Sequence, residues 1–240
     1  MEYFMSYKSD FQLTYCILPA NPPRGATFID LHNTIYEFWR SLWSQTFSQS
    51  GAPDKMWNEN FLRQDFITAI MNDREIVGCH LYTLYNLDSK AALSSEYFHY
   101  FGKDSLEHLK KNAMGSVLSM EYLCVNPKYR KLVTNIPFGE IFIGLGSELT
   151  KTLGYDCCLG TTINGAKVDQ MAELYGGYSI QEDIKKYGYT LRLMVIPMNK
   201  RVNHPNIEFS SLIQTLWEDR VDYTGATGGK IIPFTKRKVA

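Results

Sequence analysis

Ser116-Val117-Leu118-Ser119-Met120-Glu121-Tyr122-Leu123-Cys124-Val125 runs directly into Asn126-Pro127-Lys128-Tyr129-Arg130-Lys131, and Pro137-Phe138-Gly139-Glu140 follows a few residues on. The first segment is apolar and reads as a β-strand, and the second is a basic loop. Pro137 stands where a first-turn proline belongs. Phe138, Ile141, Phe142, Leu145, Leu149 and Leu153 then trace one face of a helix that Gly154 ends. A strand, a basic loop and a helix N-terminus in that order can hold phosphate, because free backbone N–H groups and the positive end of the helix dipole converge there.

Working outward, Tyr155 to Leu159 is a short apolar strand, and Asn164 caps a helix through Tyr175 that Gly176-Gly177 close. Tyr189 to Pro197 is a last strong strand. Upstream, Asp65 to Met71 and Glu75 to Leu84 flank Asn72-Asp73-Arg74, the pattern of a hairpin. Phe11 to Leu18 alternates like a strand and stops at Pro19, Pro22 and Pro23. Ala26 to Ser48 is a helix, with Phe28, Leu31, Ile35, Phe38, Leu42 and Phe47 at helical spacing and Trp39 and Trp43 widening the stripe. Short helices are expected within Ser89 to Phe101 and at Ser105 to Asn112. Asn206 to Asp222 carries one more helical stripe, and Gly225 to Ala240 reads as a mobile tail or an extension of a sheet edge. Residues 1–200 are thus expected to form the main domain and 201–240 a C-terminal helical extension and tail.

A chain of 240 residues is long enough for a sizeable core without staples. Its 25 Lys and Arg balance 25 Asp and Glu, so no global field favours nucleic acid or an anionic membrane, and any anion site is local. The five cysteines, Cys16, Cys79, Cys124, Cys157 and Cys158, show no metal-ligand spacing and read as reduced, buried small hydrophobes, with no metal expected. Adjacency sends Cys157 and Cys158 to opposite faces of their strand. Met1 to Asp10 lacks the basic and apolar regions of a signal peptide, and no run reaches the ~20 apolar residues of a membrane span. A cytoplasmic protein is expected.

Three local patterns resemble the Gcn5-related N-acetyltransferase superfamily: the hairpin, the Val-x-Pro-x-Tyr-Arg run at Val125 to Arg130, and Ala172-Glu173-Leu174-Tyr175-Gly176-Gly177-Tyr178. The resemblance covers about residues 65–198. It implies an α/β fold with a mixed, mostly antiparallel central sheet, helices on both faces, and a splay between the fourth strand (Ser116 to Val125) and the fifth (Tyr155 to Leu159). In that family the pantetheine arm of acyl-CoA enters the splay like another strand. Leu123, Cys124 and Val125 would then face pantetheine, while Arg130, Lys131 and the N–H groups at Phe138, Gly139 and Glu140 would hold pyrophosphate. Asn164 is a further carrier contact or only a cap. The chain departs from the family in the length of Lys131 to Pro137: either the loop bulges and the helix still reaches phosphate, or the carrier is gripped differently.

The implied activity is transfer of an acyl group, acetyl first, from acyl-CoA to a primary amine on a small molecule or peptide, by direct attack in a ternary complex. Such transfer needs a base and an acid. Tyr175, at the family's tyrosine position, is the expected acid and Glu121 the expected base, with His80 a weaker base candidate. The aromatic helix Ala26 to Ser48 is similar in outline to N-acyl amino acid and acyl-homoserine-lactone synthases, which take long chains from acyl carrier protein. Arg40 and Arg63 are either solvated or paired with an acceptor carboxylate or a carrier protein. A third reading is a binding module of the same fold without turnover. A homodimer, with the tail on a neighbour's sheet, is also open.

Overall fold

The computed structural model describes residues 11–230. Strands β1 (Leu13–Pro19), β2 (Phe66–Asn72), β3 (Glu75–Asn86), β4 (Ser116–Val125), β5 (Cys157–Ile163), β6 (Tyr178–Lys186), β7 (Tyr189–Pro197) and β8 (Val221–Asp222) form one sheet in the order β6-β7-β5-β4-β3-β2-β1-β8. Neighbours are antiparallel except β4 with β5 and β1 with β8. The helices are α1 (Ile29–Gln49), α2 (Glu59–Leu62), α3 (Lys90–Leu93), α4 (Lys103–Lys111), α5 (Lys131–Thr134), α6 (Phe138–Thr152), α7 (Val168–Glu173) and α8 (Ile207–Glu218). None is long and apolar enough to cross a membrane.

Alternation along the central strands sorts their side chains to two faces. On one face, Leu31, Ile35 and Trp39 of α1 pack against Leu18, Ile67 and Leu81, and Tyr97, Phe98 and Leu109 cover Val117, Cys157 and Leu193. On the other, α6 lies over Leu118, Met120 and Tyr82, and α8 packs beside it through Ile213 and Leu216. Gly146 lets α6 approach this closely, since a Cβ there would meet Met120 Cε at 2.6 Å and the Tyr82 hydroxyl at 2.9 Å. Cys157 and Cys158 do fall on opposite faces.

β4 and β5 pair at only three positions, Val117 with Cys157, Leu118 with Cys158 and Ser119 with Leu159. Beyond these they part, although β4 continues to Val125 and β5 to Ile163. The cause lies in β4. Between the pairs Cys79–Cys124 and Leu81–Glu121 a single β3 residue, His80, faces two β4 residues, Tyr122 and Leu123, and Tyr122 takes φ 56°. Such a bulge bends its strand and increases its twist. Gly160 sits at the fork, where a Cβ would lie 3.0 Å from Met120 O.

Several elements differ from the sequence expectation. β5 extends to Ile163 instead of stopping at Leu159. β6 is an additional edge strand, irregular at two points, with Asp183 at φ 57°. The helix expected from Asn164 to Tyr175 is only Val168–Glu173; it starts after Lys167 at φ 61°, and no side chain caps it. The Lys131 to Pro137 loop contains α5. Gly225 to Lys230 is an edge extension of its own sheet, with Lys230 bridging Val221 and the Asp222 carboxylate accepting from Thr224, Gly225 and Thr227. The readings of Met1 to Asp10 and of residues 231–240 lie outside the described residues.

Candidate acyl-carrier cleft

The parted strands enclose a cavity of about 440 Å³ that passes through the sheet. On the α1 side it is bordered by Trp43, Thr46 and Tyr122, and under α6 by Met120, Ile143, Cys158, Met194 and Ile196. The Trp43 indole N–H donates to Tyr122 O at 3.1 Å, which fixes the bulge to α1. A second cavity of about 360 Å³ shares Leu123, Val125, Arg130, Ala166 and Val168 with the first and adds Lys131, Pro137, Gly139 and Glu140. Together they make a channel from the α6 N-terminus to the interior. Its inner part offers unpaired strand edges, its walls are apolar, and its outer part carries positive charge.

Leu123, Cys124, Val125 and Arg130 line the inner cavity, and Lys131, Phe138, Gly139 and Glu140 line the outer one. Arg130 has no acidic partner among the described residues. The helix leaves the N–H groups of Gly139 and Glu140 without internal acceptors, whereas the Phe138 N–H is taken by Ile136 O at 3.0 Å. Lys131 is partly neutralised, because its Nζ lies 3.3 Å from the Glu140 carboxylate, which also meets His204 Nε2 at 3.0 Å. Asn164 is not on the cavity wall, and its backbone N–H donates to Thr190 O.

The structure does not bring Tyr175 to the cleft. Its side chain is 1% exposed, and its hydroxyl donates to Glu140 O at 2.6 Å and rests over Gly144. Burial pushes the phenol well above its usual pKa, and the nearby Glu140 adds to this. Val168 and Ala172 of α7 border the inner cavity, and the short helix turns the tyrosine beyond them toward α6. Tyr175 ties α7 to α6 and lies apart from the cavity wall at which the sequence reading placed its acid role.

Glu121 lies on the α1 face, beside the bulge but off the cavity wall. Its carboxylate binds Arg63 through both oxygens and accepts from Ser119 Oγ at 2.9 Å. Arg63 thus reaches Glu121 across 58 residues of sequence, a pairing that only the tertiary fold provides. Arg40 instead sits near the Tyr36 ring.

Thr162, without a site role in the sequence reading, and His80, the weaker base candidate, border the inner cavity. Thr162 is buried, and its Oγ1 has no hydrogen-bond partner. His80 holds the Tyr82 hydroxyl at 2.9 Å through Nδ1, and burial lowers its pKa to about 3, so the ring is neutral at pH 7. Gly160-Thr161-Thr162 resembles a turn in composition, which hid the strand's continuation; a strand glycine beside a close backbone approach is the signal that marks it.

Two solved structures are similar to this chain in fold. One is a CoA-dependent acyl-homoserine lactone synthase, BjaI, solved with SAM and isopentyl-CoA, at TM-score 0.51 and 10% identity over 85% of this chain and 88% of that one. The other is FeeM, an N-acyl amino acid synthase from uncultured soil microbes, at TM-score 0.52 and 9% identity over 79% of this chain and 94% of that one. The fold is that of the Gcn5-related N-acetyltransferases. No family model and no curated protein matches the sequence.

Proposed function

We propose that the chain is an N-acyltransferase that takes its acyl group from acyl-CoA and passes it to a primary amine. The observation that carries this reading is the parting of β4 and β5 around an apolar, through-sheet cavity with a bulge at its centre. An unpaired strand edge suits an extended pantetheine arm, whose amides would pair with β4 near Leu123 and Val125. The unpartnered Thr162 hydroxyl would serve another polar group of the arm. Arg130 and the first-turn N–H groups of Gly139 and Glu140 would meet phosphate. The cavity lies in the size range of ordinary ligand pockets and has apolar space beyond the bulge, which favours an acyl chain longer than acetyl.

In the proposed chemistry the amine approaches from the α1 side. Glu121, beside the bulge, takes its ammonium proton through a water, and the amine nitrogen attacks the thioester carbon while backbone N–H groups at the bulge polarise the carbonyl oxygen. A C–N bond forms and the C–S bond breaks; the sulfur leaves as thiolate, and the second proton shed by the nitrogen passes to that thiolate, giving the thiol. With a thiol pKa of about 8.5, that leaving group needs no strong acid near neutral pH, which fits the absence of Tyr175 from the cleft.

A second reading has an acyl carrier protein as donor. Leu132 and Val133 on α5 are 99% and 66% exposed beside Arg130, and Glu140 occupies part of the phosphate cradle. Mass spectrometry of the copurified ligand separates the donors: a fatty acyl phosphopantetheine species supports the carrier protein and opposes free acyl-CoA. Thiol release from C2 to C12 acyl-CoA over an amine library tests transfer itself. Release dependent on amine is the expected result. Saturable acyl-CoA binding without release for any amine would make the chain a binding module instead.

A further inference from the structure

Under α6 the cavity wall is mostly apolar. Met120, Ile143, Met194 and Ile196 supply hydrocarbon and thioether, and the Cys158 thiol already meets Thr150 Oγ1 at 2.9 Å. Besides Thr162, given above to the pantetheine arm, the wall carries His80. Its ring is 1% exposed, its Nδ1 is engaged by Tyr82, and its Nε2 has no partner among the described residues. A polar atom on a cavity wall without a protein partner marks where a ligand's polar atom belongs, because an apolar ligand there would strip its water and leave it unpaired.

Building on the acyl-donor reading above, we infer that His80 recognises an oxygen substituent on the acyl chain, so that the preferred donor carries a hydroxyl or keto group instead of a plain hydrocarbon tail. The Tyr82 hydroxyl can donate to Nδ1 or accept from it, which leaves Nε2 as an N–H donor in the first case and as an acceptor in the second. A ligand hydroxyl satisfies either form and a keto oxygen the first. The imidazole stays neutral at pH 7, its pKa held near 3 by burial, so it is poorly suited to act as a base or to pair with a carboxylate. Its position fits this role, since His80 is the β3 residue facing the β4 bulge and its ring lies under α6 near Phe142.

The test measures binding of octanoyl-CoA and of hydroxyoctanoyl-CoA isomers, with the hydroxyl moved carbon by carbon, to the full chain by calorimetry. One isomer is expected to bind about 10-fold tighter than octanoyl-CoA, in line with one buried hydrogen bond. In His80→Phe the ratio should fall to about one, and in His80→Gln, which keeps a side-chain donor and acceptor, a preference should persist. Octanoyl-CoA binding with no isomer preferred overturns the inference alone, as does a preference that survives in His80→Phe. Failure of every acyl-CoA to bind overturns the donor reading and the inference together.

Discussion

Replacing Tyr175 by Phe separates the structure's account of this residue from the family pattern. The substitution removes one hydroxyl, whose only hydrogen bond is the 2.6 Å donation to Glu140 O. That carbonyl belongs to α6 and also accepts its own i+4 N–H, so it is not orphaned by the change. The loss is therefore one neutral buried hydrogen bond, worth about 1 kcal/mol, and for a chain of this size that corresponds to a fall in Tm of about 2–4 °C. Turnover should stay within about 2-fold of the wild-type value, because the phenol faces α6 and not the cleft. Thermal unfolding followed by circular dichroism and thiol release with saturating acyl-CoA and amine give the two numbers. If Tyr175 were the acid, turnover would instead drop by about 10-fold or more with Tm nearly unchanged. That outcome would refute the placement of Tyr175 outside the chemistry.

Glu121→Gln should lower turnover by about 100-fold with little change in acyl-CoA affinity, measured by thiol release beside calorimetry. Arg130→Ala should weaken acyl-CoA binding by about 10-fold and flatten its salt dependence, read from Kd at two ionic strengths. Trp39→Ala removes a fully buried ring from the α1 core and should cost about 3 kcal/mol in urea unfolding, the low end for such a change because the indole N–H has no partner to lose. His80 titrates near 3 in the folded chain against about 6.5 unfolded, so the unfolded state binds the extra proton between those values. Its contribution to stability is fully present above pH 6.5 and is lost as pH falls toward 3, by up to roughly 5 kcal/mol, and His80→Phe should flatten that part of the profile.

The parts of the fold readable from sequence are those whose cause is local. The helical spacing of Phe138, Ile141, Phe142, Leu145 and Leu149 gave α6, and the two-residue turn at Asp73-Arg74 gave the hairpin. The cavity-lining residues Leu123, Cys124, Val125 and Arg130 were legible because strand, loop and helix follow one another in the chain. β6 was not legible, since its charged residues and two irregularities belong to an exposed edge where the period-2 pattern lapses. The place of Tyr175 away from the cleft was not legible because a Leu-Tyr pair does not report the length of its helix, and a short α7 aims the ring at α6. The Arg63–Glu121 pair and the unpartnered nitrogen of His80 are products of tertiary packing, with no spacing that announces them.

Whether the gap between β4 and β5 receives the acyl carrier is decided by a crystal soaked with octanoyl-CoA. The expected density has the pantetheine arm lying along β4 at Leu123 and Val125, phosphate beside Arg130, and the acyl chain reaching under α6 toward Met120 and His80. A carrier bound elsewhere on the molecule, with the gap empty, would contradict it.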